Sequence, residues 1–433
     1  MPRKEPSRAV NIGLLGLGTV GSGVYQILTS ECRDIERKTG LRLVVKKIAV
    51  RSLHKKRKIR VPQRILTTQV RELIEDPSID IFVELAGGIH PVKEWISAAL
   101  RRGKHVVTAN KALLAEEGLS VYRESLRASR RLGLEASVCG GIPIIKALTE
   151  GLASNRISHF FGIVNGTCNF ILTAMSRGSL SFQKALAEAQ AKGYAERDPK
   201  LDIDGTDSAH KLAILARLAF RSEIPLRKIS VEGIRSLSGA DIEYAKELGY
   251  VIKLLAIGKK WKRGLELRVH PTMLPLDHPL ASVRGVYNAV FLRADRAGDL
   301  LFYGQGAGMF PTASAVVSDI LDIARNISSG SRPAAQPLFP QLPVLPIDDV
   351  KSKYYLRFQV EDKPGVLGQI ARTLGRHDIS ILSVHQKESY QSRSVPVIIL
   401  TYEAREKDLR KALGIIRAMR QVSEKPVVLR VEK

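Results

Sequence analysis

Short apolar runs alternate with amphipathic helical patterns between about residues 10 and 136. This alternation is typical of βαβ units, in which helices cover both faces of a parallel sheet. Helices are predicted between the strands, including residues 91–100, with Pro91 in the first turn, and residues 111–130. The predicted strands occupy residues 11–15, 43–50, 79–85, 105–108 and 134–138.

The pattern changes after residue 144, where helices mix with strands up to about residue 309 and indicate a separate α+β domain. Residues 328–346 are dense in Pro, Ser and Gly, which predicts a linker. The order βαββαβ follows, which is the ferredoxin-like arrangement. The strands predicted in these two parts occupy residues 251–257, 265–271, 285–293, 300–303, 354–360, 380–386, 395–402 and 426–431, and the last two helices residues 365–376 and 406–419.

Composition bounds the class of protein. A chain of 433 residues, 44% hydrophobic and 26% charged, is long enough for two or three domains with separate cores. The three cysteines, Cys32, Cys139 and Cys168, lack metal-ligand spacing, which favours a reducing compartment without structural zinc. Glycines interrupt the first apolar run, and no run approaches the length of a membrane span. We therefore expect a cytoplasmic protein with no membrane partner.

The formal charge of +25 raises the alternative of nucleic-acid binding. Residues 31–60 carry twelve Lys and Arg against three acids, yet this segment lacks interleaved aromatic residues and any known reading motif. Elsewhere the positive charge is scattered along predicted helices, as on a solvated surface. We expect no nucleic-acid partner.

A glycine motif follows the first predicted strand directly. Gly16 permits a tight turn, Gly18 lets the backbone approach a pyrophosphate, and Gly21 allows close helix packing. Thr19 and Val20 complete the motif. A helical run over residues 24–28 follows, and the free N–H groups at the N-terminus of such a helix suit an anion. Because strand, turn and helix occur in this order, the motif predicts a dinucleotide site.

The end of the second strand indicates which dinucleotide. An NAD site usually has an acid here for the ribose 2′-hydroxyl, whereas this chain has Arg51, followed by a basic run. A cation at this position suits a 2′-phosphate, which favours NADP, with NAD as the weaker alternative. A basic surface loop without a ligand is the other interpretation.

Acidic residues gather in residues 193–211, although the chain is strongly basic. Asp207 and Lys211 stand four apart at the start of an apolar-periodic helix, so both project from one face. Such a face could hold a proton donor beside a carboxylate. The alternative is an ordinary exposed helix ion pair, worth roughly 0.3–0.5 kcal/mol.

The third and fourth predicted strands end at residues 84–88 and 108–111, and the carboxyl ends of parallel strands line a cofactor crevice. Lys111 follows the fourth strand, and we expect it to face the nicotinamide, although a surface lysine at a helix start is the alternative. The glycine-containing loop of residues 135–142 exposes backbone carbonyls that suit a hard monovalent cation.

Five segments stand out together: GLGTVG, TANKALLA, EASVCGGIPII, FFGIVNGTCNFILTAM and AKGYAERDPKLDIDGTDSAHKLAILA. They are highly specific in combination, and through them the chain resembles the bacterial homoserine dehydrogenases along essentially its full length. The resemblance implies an oxidoreductase that reduces L-aspartate 4-semialdehyde to L-homoserine, on the branch leading to threonine, isoleucine and methionine.

The resemblance also implies roles for individual residues. Lys211 would donate the proton to the aldehyde oxygen, and Lys111 would assist it and touch the cofactor. Polar residues would bind the substrate, Gly193 would border the cofactor, and a sodium ion would take largely backbone carbonyls. The implied substrate ligands are Glu196, Asp202 and Asp207, and the implied sodium ligands are Glu135, Val138, Gly140 and Ile142.

The resemblance implies three domains and an assembly. Residues 1–143 would form an NAD(P)-binding Rossmann domain, with a helix from residues 310–328 as a candidate addition. Residues 144–309 would form the α+β catalytic and substrate-binding domain, and residues 328–350 a linker. Residues 351–433 resemble a ferredoxin-like ACT domain with threonine as expected effector; a ligand-free dimerisation module is the alternative. A homodimer or homotetramer is expected.

Two other functions stay open at this stage. A dehydrogenase for another aldehyde or a sugar phosphate would keep the glycine turn without needing the acidic segment 193–211. A catalytically silent sensor of amino acids and nucleotides would explain the ACT-like end. The presence of Lys111, Asp207 and Lys211 argues against the sensor.

Overall fold

A computed structural model describes residues 8–57, 59–178, 180–331, 339–386 and 394–433. The chain divides into two compact units. The first comprises Met1–Ser158, Asp207–Leu226 and Val286–Leu342, and the second comprises His159–Thr206, Arg227–Gly285 and Pro343–Lys433. Part of the predicted linker, residues 332–338, lies outside the described residues.

Strands and helices alternate along the N-terminal part, as the hydrophobic pattern predicted. The strands are β1 Val10–Leu15, β2 Leu43–Ala49, β3 Leu66–Thr67, β4 Ile81–Glu84, β5 His105–Thr108, β6 Leu132–Gly133, β7 Ile157–Ile163, β8 Ser230–Val231, β9 Tyr250–Trp261, β10 Gly264–Pro275, β11 Tyr287–Ala294, β12 Gly298–Gln305, β13 Lys351–Glu361, β14 Ile381–Gln386, β15 Ser394–Thr401, β16 Ala404–Arg405 and β17 Val427–Val431. The helices are α1 Thr19–Ser30, α2 Cys32–Thr39, α3 Arg71–Glu75, α4 Val92–Arg101, α5 Lys111–Glu116, α6 Gly118–Arg127, α7 Ile144–Lys146, α8 Gly166–Gly178, α9 Phe182–Ala191, α10 Lys200–Ile203, α11 Thr206–Phe220, α12 Gly239–Glu247, α13 Met309–Ser328, α14 Val366–Arg376 and α15 Glu406–Arg417.

A parallel sheet with the strand order β3-β2-β1-β4-β5-β6 forms the centre of the first unit. This is the order of the doubly wound dinucleotide-binding fold. Helix α13 packs against α1 on this sheet, and Val24, Val316 and Ile320 share one buried core there. The close approach needs a glycine, since a Cβ on Gly23 would lie 2.8 Å from the Met309 carbonyl oxygen. Strands β11 and β12 form an antiparallel hairpin in the same unit.

Two predictions for this region were wrong. The strand predicted at residues 134–138 is a 3₁₀ turn, Glu135–Ser137, and the last strand of the sheet is the two-residue β6 before it. The Asp319 carboxylate accepts the Glu135 backbone N–H at 2.9 Å, which draws this segment out of the ladder. The helix predicted at residues 111–130 is interrupted at Glu117 and forms α5 and α6.

The second unit is built on a mixed sheet with the order β7-β9-β10-β17-β13-β15-β14. Helices α8 and α12 pack beside β9. The last four strands of this order come from the C-terminal segment, and they have the arrangement of a ferredoxin-like βαββαβ domain, which confirms the prediction. Its core lies under α14 and α15, with Phe358, Ile370 and Leu409 fully buried. In the described part of the chain, no helix is both long and apolar enough to cross a bilayer.

Candidate active site

The glycine turn between β1 and α1 is shaped for a phosphate group. Gly16 has φ +99°, and a Cβ there would lie 2.8 Å from the Leu85 carbonyl oxygen. A Cβ on Gly21 would lie 2.2 Å from the Gly16 carbonyl oxygen, so both positions require glycine. Nothing lies within 4 Å of a Cβ on Gly18, and no side chain caps α1 there. The turn therefore leaves room for a pyrophosphate at a helix N-terminus that starts with Thr19 and Val20.

Arg51 lies two residues after β2, at the carboxyl end of the strand beside β1, and its side chain is exposed. The guanidinium of the neighbouring Arg57 hydrogen-bonds within its own loop, where it donates to the carbonyls of Ser52, Leu53 and Lys55. The basic run is therefore not uniform: Arg57 shapes the loop, and Arg51 occupies the position that commonly recognises the ribose.

A buried carboxylate joins the carboxyl ends of β4 and β5. Glu84 is fully buried, and one of its oxygens accepts the backbone N–H groups of Ala86 and Gly87, at 2.8 and 2.9 Å. The other oxygen accepts the Thr108 hydroxyl at 2.6 Å. Sequence reasoning placed Glu84 at the cofactor crevice without giving it a role, and the structure shows that its carboxylate orders the loop after β4. Its place at the end of an apolar strand was the available signal.

The same network continues to the start of α5. The Thr108 hydroxyl accepts the backbone N–H of Asn110 at 3.0 Å, and the Asn110 side chain donates to the Gly88 carbonyl at 2.6 Å. Asn110 also caps α5 by accepting the Leu113 N–H. Lys111 is the first residue of this helix, so hydrogen bonds from two strands set the place where its side chain begins.

Asp207 lies between two lysines. Its Oδ1 is 2.6 Å from the ammonium of Lys111, and its Oδ2 accepts a hydrogen bond from Lys211 at 2.8 Å. The Asp207 side chain is 5% exposed and that of Lys211 11%, whereas Lys111 is 44% exposed. Burial alone would raise the pKa of Asp207, but the two ammonium groups outweigh it, and the pKa lies well below its ordinary value. The alternative of an exposed surface pair is therefore wrong.

Sequence reasoning also missed two neighbours of this cluster. His210 is buried, its Nε2 lies 3.8 Å from the Glu116 carboxylate, and burial lowers its pKa. Cys139 is buried as well; burial raises the pKa of its thiol to about 11, and Lys211 acts on it electrostatically in the opposite direction. His210 is adjacent to Lys211 in sequence, whereas nothing local to Cys139 signalled its place.

Comparisons with known proteins match the whole chain. The homoserine dehydrogenase family model matches residues 143–321, the homoserine dehydrogenase NAD-binding model residues 16–133, and the ACT model residues 354–421. The chain is 45% identical to the homoserine dehydrogenase of Neisseria gonorrhoeae, over 98% of each chain. It belongs to the homoserine dehydrogenase family.

Solved structures of this family agree with the fold. A homoserine dehydrogenase from Thiobacillus denitrificans is similar with a TM-score of 0.92 and 42% identity, covering 98% of this chain and 99% of that one. A hyperthermophilic archaeal homoserine dehydrogenase in complex with NADPH has a TM-score of 0.63 and 28% identity, covering 74% of this chain and 98% of that one. The chain is thus a pyridine-nucleotide-dependent oxidoreductase acting on a CH–OH group, with an N-terminal NAD-binding domain, a catalytic domain and a C-terminal ACT domain.

The loop for which the family resemblance implies a sodium ion lies in the first unit. Both oxygens of the Glu135 carboxylate accept backbone N–H groups, from Ile145 at 2.9 Å and from Lys146 at 2.8 Å. Cys139 and Gly140 both have positive φ, 56° and 48°, so the backbone turns sharply there. Among the described residues, no group of three or more His, Cys, Asp or Glu could hold a metal. A cation here would depend on backbone carbonyls, such as those of Val138, Gly140 and Ile142.

The remaining predicted site residues lie in the second unit. Asp202, in α10, accepts a hydrogen bond from the Asn165 amide at 2.7 Å. Glu196 is exposed, and Gly193 has φ +73° just after α9. The structure therefore brings together Lys111, Asp207 and Lys211 in the first unit, and the shared role of the second-unit residues stays a prediction.

Proposed function

We propose that this enzyme reduces L-aspartate 4-semialdehyde to L-homoserine with NADPH, on the branch leading to threonine, isoleucine and methionine. Family membership supports the reaction. The observation that carries the mechanism is the buried Asp207 carboxylate, which pairs with both Lys111 and Lys211. Lys111 lies at the start of α5, just after the carboxyl end of β5. This edge of a doubly wound sheet is where cofactor and substrate commonly bind.

Bound NADPH supplies a hydride to the aldehyde carbon, and negative charge develops on the aldehyde oxygen. In our proposal, the Lys211 ammonium donates a proton to that oxygen, so the product is the neutral alcohol and the lysine is left as an amine. Lys111 stabilises the developing alkoxide. Asp207 orients both ammonium groups and keeps them near one another despite their like charge.

For the substrate ammonium we propose Glu196 and Asp202 as ligands, on the basis of the family resemblance. Gly193 is a proposed neighbour of the cofactor by the same resemblance. The Asn165 amide that donates to Asp202 supports this role, since it orients the carboxylate.

The cofactor proposal gives a direct test. Purified enzyme should oxidise NADPH rapidly when L-aspartate 4-semialdehyde is added, and NADH more slowly. Arg51→Asp should shift kcat/KM toward NADH by about tenfold or more, because a carboxylate repels the 2′-phosphate and accepts a 2′-hydroxyl. Support comes from the exposed Arg51 at the end of β2 and from the relative in complex with NADPH.

The matched control is Lys55→Asp, which makes the same charge change in the exposed part of the same loop. Equal shifts in both variants would show that net charge, and not Arg51, sets the preference.

Folded protein that binds NADPH but oxidises none would overturn the reaction proposed here and favour another substrate.

Regulation by threonine is proposed at the ACT domain. The turn before α14 contains Gly365, which has φ +89°, and nothing lies within 4 Å of the place that a Cβ would occupy. Threonine up to the millimolar range should slow the reaction, and Gly365→Asp should remove the effect. Gly368→Asp, at an exposed position of α14 with ordinary φ, serves as control. A rate independent of threonine would leave the domain as an assembly module.

A sodium ion is proposed at the loop of Glu135, Val138, Gly140 and Ile142. The donor set is all oxygen, which suits a hard cation. Each Glu135 oxygen accepts one N–H, and a carboxylate oxygen has a further lone pair. The melting temperature should be higher in sodium chloride than in choline chloride at equal ionic strength, and Glu135→Gln should reduce the difference. Equal melting curves would contradict the site.

We also propose a homodimer or homotetramer in the cytoplasm, by family similarity. Light scattering at micromolar concentration checks the assembly; a monomer would contradict it.

A further inference from the structure

A cavity of about 290 Å³ lies in the second unit, and its lining shares no residue with the candidate active site. It opens where the ends of β9 and β17 approach the start of β13. Lys259 lines it from β9, Lys351 and Lys353 from β13, and Lys433 from the residues after β17. Four lysines therefore line one cavity.

Strand alternation places these groups on two faces of the sheet. Lys259, Arg268 and Glu432 share one face, as the pairing of β9, β10 and β17 requires, and Lys353 lies on the other face, beside Val431. The cavity thus passes between strands, and a ligand in it would contact lysines from both faces.

The acids at this cavity do not balance the lysines. Glu432 is buried and already holds Lys259, at 2.7 Å, and the fully buried Arg268. Glu403, exposed, is the other acid in the lining. The pKa of Lys353 is lowered, by partial burial first and then by the neighbouring ammonium of Lys433. Lysine side chains outnumber acidic side chains in the lining, and an anion would relieve the repulsion between Lys353 and Lys433.

A hydroxyl provides a second, independent indication. Ser352 lines the cavity, is 4% exposed, and has no hydrogen-bond partner for its side-chain oxygen among the described residues. It lies on the face of Lys259 and Glu432, since Tyr354, two residues along β13, pairs with Arg430. A buried hydroxyl without a hydrogen-bond partner costs free energy, so such a group commonly takes a partner from a ligand or from water.

Phe161 and Trp261 also line the cavity. The Lys259 ammonium lies 5.5 Å from the centre of the buried Phe161 ring. Trp261 is 52% exposed at the end of β9, and its indole N–H donates to Glu266 at 2.9 Å, which holds the ring in place. A fixed, exposed indole offers a flat apolar surface for a ligand ring.

We propose that this cavity binds a small organic phosphate with a flat ring, such as a nucleotide, separate from the dinucleotide site of the first unit. The phosphate oxygens accept from Lys353 and Lys433, which lie beside one another on one face. On the other face the ring lies against Trp261, and the Ser352 hydroxyl donates to a polar atom of the ligand. Lysine is a common phosphate ligand because its ammonium is a compact charge with three donors. Such a ligand touches both the ACT segment and β9, and so it links them.

Trp261 permits a specific experiment, because the chain contains two tryptophans, Trp95 and Trp261. In full-length Trp95→Phe protein, with the first-unit site saturated by NADP⁺, added ADP should change the indole fluorescence saturably. Lys353→Ala with Lys433→Ala in this background should weaken ADP binding by about tenfold or more, since two charge-assisted hydrogen bonds are lost. The control pair is Lys407→Ala with Lys411→Ala, on the exposed face of α15.

Three outcomes would overturn the proposal. These are the absence of an ADP-dependent signal, equal ADP affinity in the cavity variant and its parent, and equal loss in the control pair, which would indicate non-specific attraction to a basic protein. If inorganic phosphate binds as tightly as ADP, the cavity recognises phosphate alone, and the proposal of an organic phosphate ligand is wrong. The cavity variant should melt no lower than its parent, because it loses a repulsion, so misfolding would be visible separately.

Discussion

Lys211→Ala is expected to lower kcat by about 10²–10⁴, the usual effect of removing a general acid, while the dissociation constant for NADPH stays unchanged. In our proposal the Lys211 ammonium donates the proton to the aldehyde oxygen, because Lys211 is buried beside Asp207, whereas Lys111, the other lysine paired with Asp207, is 44% exposed. Stopped-flow measurement of hydride transfer, together with NADPH titration, separates the chemical step from cofactor binding.

The chain offers a matched control for this variant. Asp34 and Lys38 have the same four-residue spacing on α2, at 2.6 Å, but Lys38 is 73% exposed. Lys38→Ala should leave kcat unchanged. Normal turnover in Lys211→Ala would remove this lysine from the chemistry and leave Lys111 as the candidate donor.

Asp207→Asn is expected to destabilise the first unit and to slow catalysis together. The substitution leaves two ammonium groups facing one another at a largely buried site, and the free energy of unfolding should fall by about 2–4 kcal/mol. The kcat should fall as well, because the lysines lose the carboxylate that orients them. Denaturant unfolding at several pH values, with the steady-state rate, measures both effects.

The pH dependence distinguishes this carboxylate from a surface one. The folded pKa of Asp207 is depressed, so its contribution to stability is fully present above the unfolded value of about 3.9 and is lost as pH falls toward the folded pKa. Wild type and variant should therefore differ by a constant amount between about pH 5 and pH 8, and the difference should shrink in acid. Asp34→Asn, at an exposed pair, should change little. A difference independent of pH throughout would mean that Asp207 is not ionised in the folded enzyme.

The elements that sequence reasoning predicted well are those that local pattern determines. The strand β1, the glycine turn and helix α1 follow one another as the motif requires, and the βαββαβ order of the C-terminal segment is visible as alternating periods. The segment of residues 134–138 was misread because its apolar residues resemble a strand, whereas the Asp319 carboxylate, distant in sequence, captures the Glu135 N–H. A local pattern carries no information about such a partner.

In the candidate site, too, some features follow from local sequence and others from contacts between distant segments. The spacing of Asp207 and Lys211 on one helix face determined their ion pair, because four residues make about one helical turn. The sequence did not show that Lys111 reaches the other oxygen of Asp207, nor that Glu84 and Thr108 order the loop and helix from which Lys111 starts.

Local sequence patterns were enough to predict the cofactor fold, the order of the domains and the residue types of the site, because helix and strand periods and glycine turns are local properties of the chain. Three features became visible in the folded chain: Asp207 is buried between two lysines, Glu84 joins two strand ends, and four lysines line a cavity beside β17. Burial and charge pairing depend on which distant segments meet, and the packing of the whole core determines that.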